Sequence, residues 1–498
     1  MKDKLSSYNV LISLFSFLLT LLSNLILRSY LLNSVGTDYF AVNVILTNTM
    51  NAFSLFELGV GVTAVFLLYK PVMENDQVKV ASLYFYFKKI YIYISLFTAI
   101  VSIPLIFFIY NFVSDVISLL SFSFIYFLYI INVVVILNCS IGKWYLYSKQ
   151  KIYAFCIIEI ISKSLLFFGQ LIFLLYLLEP NDKYLFFVVA IPCSSVIQFI
   201  FLKLYIKKDE LLMSKIKVDV DKVAKGHVIE KIKGGFNHKV GDVFMNYSDY
   251  FIISFFISLS VVTSTSNYLF MTASIVMLIT KLFEGVSAKI GHLIASDDKI
   301  GKQNVFFVTY MSSLFLAVIA SVWVYQYSGV FITLWLGGEY VIDECTLLLI
   351  VIAMFLQIMR ISSNMMKQAG GIIELDKHIP IIESLISFVL SITLTIMYGV
   401  NGIFIAKIAT GLLLSNWIKP FYIFRYILFL DFIVYMRLYI FSMAISAIIF
   451  ILFDFISQYV GVDINNWLDL ILISISYVFL LLVLFSLFYY RLKRQTKV

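Results

Sequence analysis

Seven ionisable residues stand inside long apolar stretches of this sequence: Arg28, Glu57, Glu159, Lys163, Asp249, Lys281 and Glu284. Two pairs have helical spacing. Glu159 precedes Lys163 by four residues and Lys281 precedes Glu284 by three, so on a helix each pair shares one face. A cation held in an apolar setting is a receptor for an anionic group. An arginine grips such a group with two parallel N–H donors, a lysine with a point charge. Arg28, Lys163 and Lys281 are accordingly the expected substrate-binding residues. Glu57, Glu159, Asp249 and Glu284 are the expected cavity or coupling carboxylates, Asp249 being flanked by Tyr247, Ser248 and Tyr250. Blander readings stand beside these. Glu159 and Lys163 can be a structural ion pair that hides both charges, and Arg28 can snorkel to the outer surface. Arg360 and Lys407 lie near the ends of their stretches and read as snorkelling residues.

Enzyme chemistry has no foothold in the sequence. Cys139, Cys156, Cys193 and Cys345 are far apart and form no C-x-x-C, and the four histidines show no metal-ligand spacing. Motifs for a catalytic nucleophile or a phosphate-binding loop are absent. No catalytic residue, metal or cofactor is expected, and the chain reads as a non-enzyme.

The stretches that must position these charges follow from composition. Of 498 residues, 62% are apolar and only 13% charged, against about 45–50% and about 25% in ordinary soluble domains. A globule cannot hide that much apolar surface, so lipid is the solvent for most of the chain. A soluble enzyme, a nucleic-acid binder and a disordered scaffold are all excluded. A helix needs about 20 apolar residues to cross the hydrocarbon core. Fourteen such runs lie near 10–32, 39–69, 90–110, 116–138, 152–178, 184–206, 241–261, 266–288, 304–327, 344–366, 379–399, 401–424, 431–454 and 465–490. They are too long and too evenly apolar for barrel strands. The first exceeds a signal-peptide core and lacks a small-x-small cleavage site, so it reads as a retained helix. Pro104 and Pro192 read as kinks.

Lysine and arginine set the orientation. With the N-terminus inside and strict alternation, inside segments hold 31 of the 37 basic residues and outside segments hold only Lys183. Both termini are therefore expected in the cytoplasm, and the net charge of +8 is mostly this inside bias. The longest connection, residues 207–240, is inside and basic. The expected fold is an all-α integral membrane protein of about fourteen transmembrane helices. Residues 1–206 form an N-terminal lobe of six helices and 241–425 a C-terminal lobe of six around a central cavity. Residues 426–498 add two further helices and a cytoplasmic tail. Two six-helix lobes joined by an inside loop are a transporter arrangement.

Several segments in this order and spacing are similar to one family. LILRSYLLNSVGTDYFAVN ends the first run, with Ser-Val-Gly where the family's Leu-Gly usually stands. FELGVGVTAVFLLYKPVMENDQVKVASLYFYFKKIY follows the acidic-Leu-Gly-x-Gly pattern and a lysine-rich inner loop. SDYFIISFFISLSVVTSTSNY, LWLGGEY and MKQAGGIIELDKHIPIIESLISFVLSITLTIMYGVNGIFIAKIATGL complete it, over roughly residues 8–425. Together they resemble the polysaccharide-exporter branch of the multidrug/oligosaccharidyl-lipid/polysaccharide exporter superfamily, the flippases of O-antigen and capsule repeat units. The resemblance implies alternating access in the bacterial cytoplasmic membrane and no nucleic-acid partner. The implied substrate is an undecaprenyl-diphosphate-linked oligosaccharide moved from the inner to the outer leaflet. Membrane lipids and other glycan-assembly proteins are the implied partners. The alternatives are a drug or cation antiporter of the same superfamily, and a membrane glycan polymerase or ligase.

Overall fold

The computed structural model describes residues 2–53, 57, 60–177, 179–216, 241, 245, 247–295, 298–370, 378–460, 464 and 466–478. Among the described residues there are helices and no strands. Among the described residues the apolar runs are largely helical. This is the form lipid imposes, because a helix satisfies every backbone N–H and C=O within its own segment.

The helices are α1 (Lys2–Ala52), α2 (Val60–Met73), α3 (Gln77–Tyr110), α4 (Leu119–Ser148), α5 (Ile152–Tyr176) and α6 (Pro180–Ser214). After the basic connection come α7 (247–256), α8 (Leu259–Ala295), α9 (Lys299–Trp335), α10 (Glu344–Met359) and α11 (Ile361–Ala369). The chain closes with α12 (Ile379–Tyr398), α13 (Asn401–Thr410), α14 (Asn416–Ile423), α15 (Phe432–Val460) and α16 (Trp467–Val478). Among the described residues eleven helical stretches are long and apolar enough to cross a membrane, and two shorter apolar helices, Thr63–Met73 and Trp467–Val478, accompany them. α1 carries two of the predicted runs. It bends at Gly36, whose φ of 85° and ψ of 176° no other residue type tolerates well.

In the run 39–69 the described α-helices reach Ala52 and resume at Val60, and Glu57 lies between them. Helix starts at the loops are closed by side chains that accept otherwise orphaned N–H groups. Asp76 accepts from Lys79 N at 3.0 Å, and this bond holds its carboxyl below its ordinary value. Asp298 accepts from Gly301 N at 2.9 Å and Asp343 from Thr346 N at 2.8 Å. Pro104 and Pro192 both sit inside continuous helices.

The chain forms two compact units. The first contains residues 1–263 and 377–385. In it α1 packs on α5, α4 and α5 on α6, and α3 on α4. Its core includes Tyr84, Phe87, Tyr91, Tyr145 and Leu202. α7 belongs to this unit: Ser254 Oγ donates to the Phe112 carbonyl at 3.3 Å, and the Phe251 and Phe255 rings meet Phe112 at 5.7 and 5.8 Å. The second unit contains residues 264–376 and 386–498, with α9 packed on α10, α11 and α15. Phe306, Phe424 and Tyr435 form its aromatic centre, at ring distances of 5.1 and 5.4 Å. α15 buries only 6% of its apolar window. A helix so apolar and so uncovered has lipid as its neighbour.

Candidate functional site

In the first unit the charges predicted from sequence occupy three polar stations, each built by a different helix contact. The Glu57 station lies in the second run, between α1 and α2. Tyr91 of α3 and Trp144 of α4 both donate to Glu57 Oε1, the phenol at 2.8 Å and the indole Nε1 at 2.9 Å. Gly61 makes the arrangement possible. A Cβ added there would collide with the Trp144 indole. The same indole has the Lys143 ammonium 4.9 Å from its ring centroid, and Phe155 has it at 5.4 Å, so a cation held by aromatic faces stands beside the carboxylate's donor.

The second station is the Glu159–Lys163 pair. Lys163 Nζ is 2.7 Å from Glu159 Oε1, so the i,i+4 spacing does produce an ion pair. The pair also reaches α1. Ser16 Oγ donates to Glu159 Oε2 at 3.5 Å and Lys163 Nζ donates to Thr20 Oγ1 at 3.3 Å. The two charges thereby bind α5 to α1 through two hydroxyls that are themselves four residues apart. Each side chain is about two-thirds buried.

Arg28 forms the third station. Its guanidinium lies 4.9 Å from the Phe40 ring centroid, a cation–π contact, and it interacts electrostatically with Tyr250 of α7. The neighbouring Asp249 is 2% exposed and acts on the same phenol. Depth separates the stations. Thr20, which marks Lys163, is eight residues from Arg28, or about 12 Å along α1, and Arg28 is a further eight residues, about 12 Å, from the Gly36 bend.

Lys281 is half-buried on α8 in the second unit. Glu284 lies on the same helix, and its side chain falls outside the described residues.

Sequence reasoning missed a fourth cluster at the end of the first unit where α4 and α6 stop. Glu210 of α6 accepts from Lys88 at 2.8 Å, from Lys203 at 2.9 Å and from the Tyr84 hydroxyl at 2.8 Å. Asp209 accepts from Lys149 at 2.7 Å and from the Tyr145 hydroxyl at 3.0 Å. These two carboxylates gather lysines from α3, α4 and α6. The available signal was Asp-Glu following two lysines at the end of the run 184–206, with tyrosines recurring in α3 and α4.

Comparison with known proteins rests on the fold. No family model matches the chain, and no curated protein matches it by sequence. Solved structures do match. The lipid II flippase MurJ in an inward closed conformation is 16% identical, with a TM-score of 0.65, over 97% of this chain and 98% of its own. An inward-facing MATE multidrug resistance transporter of the MOP superfamily is 11% identical, with a TM-score of 0.63, over 81% of this chain and 96% of its own. A variant of the Vibrio cholerae MATE transporter VcmN is 10% identical, with a TM-score of 0.61, over 85% of this chain and 98% of its own. The chain is an integral membrane protein with the transporter fold that the MATE exporters and the MurJ flippase share.

Proposed function

We propose that the chain is a flippase for an undecaprenyl-diphosphate-linked oligosaccharide, an O-antigen or capsule repeat unit, carried from the inner to the outer leaflet of the bacterial cytoplasmic membrane by alternating access. Both termini lie in the cytoplasm, as the 31-to-1 division of basic residues requires. The observation that carries the reading is coverage. The MurJ match extends over 97% of the chain, whereas the MATE matches leave 15–19% of it unaccounted for. A chain with helices beyond the MATE length fits the flippase plan better, and the sequence resemblance points to the repeat-unit branch.

Arg28 is the first residue we assign to the diphosphate. It presents a guanidinium about 12 Å in from the Gly36 bend, against the face of Phe40, and a guanidinium carries the planar donor fork that matches a bidentate anion. Lys163 and Lys281 are the further cationic contacts, Lys163 through exchange of its Glu159 partner for the phosphate. Glu57, Glu159, Asp249 and Glu284 line the path or carry a coupling proton. Tyr, Ser and Asn on the same helices supply donors for the sugars, and the polyprenyl tail stays in lipid.

A drug or cation antiporter is the second reading. The MATE matches support it. Deleting the gene in its own host separates the two. The flippase reading expects lipid-linked repeat units to accumulate on the inner leaflet and surface glycan to fall. Unchanged surface glycan with raised sensitivity to cationic dyes would move the assignment to the antiporter.

A further inference from the structure

A cavity of about 760 Å³ lies wholly within the second unit, apart from every station described above. Its walls come from α9, α10, α15 and α16. It sits where α9 approaches its C-terminal end, α10 begins and α15 ends, which is one end of the helices rather than their middle.

Its chemistry is one-sided. Glu344 and Asp454 line it, and among the described residues no lysine, arginine or histidine does. One phenol links the carboxylates electrostatically and is hydrogen-bonded to Glu344. Tyr325 donates to Glu344 Oε1 at 2.6 Å, and Asp454 acts on the same hydroxyl. Two buried donors complete the set. Tyr477 is only 5% exposed, yet its hydroxyl has no hydrogen-bond partner among the described residues. The Gln326 side-chain nitrogen is buried and unpartnered in the same way. A buried donor left unsatisfied costs about 1–3 kcal/mol, and both of these line the cavity. The wall around Tyr477 is aromatic, with Phe453 at 5.3 Å and Tyr327 at 6.2 Å between ring centroids.

Negative charge, aromatic faces and two spare donors define a ligand. The carboxylates and rings select an ammonium group, the spare donors select an oxygen acceptor close to it, and the apolar wall selects a hydrophobic body. We propose that this cavity is a binding site for an amphiphilic amine, its ammonium on Glu344 and Asp454 and its oxygen acceptor on Tyr477 and Gln326. Two sources present that chemistry, the ethanolamine headgroup of a membrane phospholipid and a free hydrophobic amino alcohol. The site stands whatever the first unit transports.

The test is equilibrium binding of radiolabelled propranolol, an aromatic amino alcohol, to the purified full chain in nanodiscs of phosphatidylglycerol. Saturable binding is expected, with its uncharged N-acetyl derivative at least tenfold weaker. The double variant Glu344→Gln/Asp454→Asn should lose at least tenfold, and Tyr477→Phe about fivefold. Repeating the measurement with phosphatidylethanolamine in the disc assigns the source. Competition by that lipid identifies the headgroup as the occupant, and unchanged binding identifies the free amine. No saturable binding in phosphatidylglycerol, or equal affinity for the charged and acetylated compounds, would overturn the proposal. The comparison of those two compounds uses the wild-type chain, so it holds even where a variant fails to fold.

Discussion

Replacing Lys163 by alanine strands Glu159 in the first unit, and the structure sets the size of the effect. The pair is short, with Nζ to Oε1 at 2.7 Å, and its remaining contacts are two weak hydroxyl bonds at 3.3 and 3.5 Å to α1. On a solvated helix an i,i+4 pair contributes only about 0.3–0.5 kcal/mol. Fully buried, breaking the pair costs about 3–5 kcal/mol, because the partner's charge is left without compensation. At about two-thirds burial the expected loss is about 2.5 kcal/mol. At roughly 2 °C per kcal/mol for a unit of this size, the apparent Tm in detergent falls by about 5 °C for Lys163→Ala or Glu159→Ala. Joint replacement, Glu159→Leu with Lys163→Met, removes both charges and returns the Tm to within about 2 °C of wild type. Thermal unfolding followed by fluorescence-detected size exclusion measures all three. A single variant as stable as wild type, or a joint variant as unstable as the singles, would refute the reasoning. Transport then tests the proposed phosphate contact. The joint variant folds but exports poorly, whereas wild-type export by it removes Lys163 from the site.

Three further outcomes follow from the same geometry. Gly36→Ala places a side chain at φ 85° and ψ 176°, at about 1–3 kcal/mol, and lowers both yield and Tm by several degrees in the same assay. Trp144→Phe removes one of the two donors to Glu57, a charge-assisted bond of about 1.5–3 kcal/mol; export falls and Tm drops by about 3–6 °C, and Tyr91→Phe behaves alike. Tags at residues 1 and 498 are accessible only from the cytoplasmic side, and labelling of Val498 from outside would contradict the topology.

The helical runs were legible because hydrocarbon demands long apolar segments, and that demand is written residue by residue. The Glu159–Lys163 pair was legible for a similar reason, since its partners are one helical turn apart. What the chain hides is tertiary. Tyr91 and Trp144 are 34 and 87 residues from Glu57, and nothing local marks them as its donors. Glu344 and Asp454 lie near the ends of two separate runs, where a carboxylate reads as a solvated helix end. Only the packing of α9, α10, α15 and α16 gives them a common cavity. The placing of α7 in the first unit was equally invisible, because it depends on Phe112, Phe251 and Phe255 meeting.

Purified protein in liposomes gives the most direct test of the proposed function. Undecaprenyl-diphosphate oligosaccharide is incorporated in both leaflets, and externally added glycosidase cleaves the pool it can reach. With the wild-type chain the whole pool becomes cleavable over time; with Arg28→Ala only the outer half does, and Arg28→Lys lies between them because it keeps the charge and loses the fork. A pool that stays half-protected with wild-type protein, in vesicles where the same protein drives a cationic dye against its gradient, would contradict the flippase account.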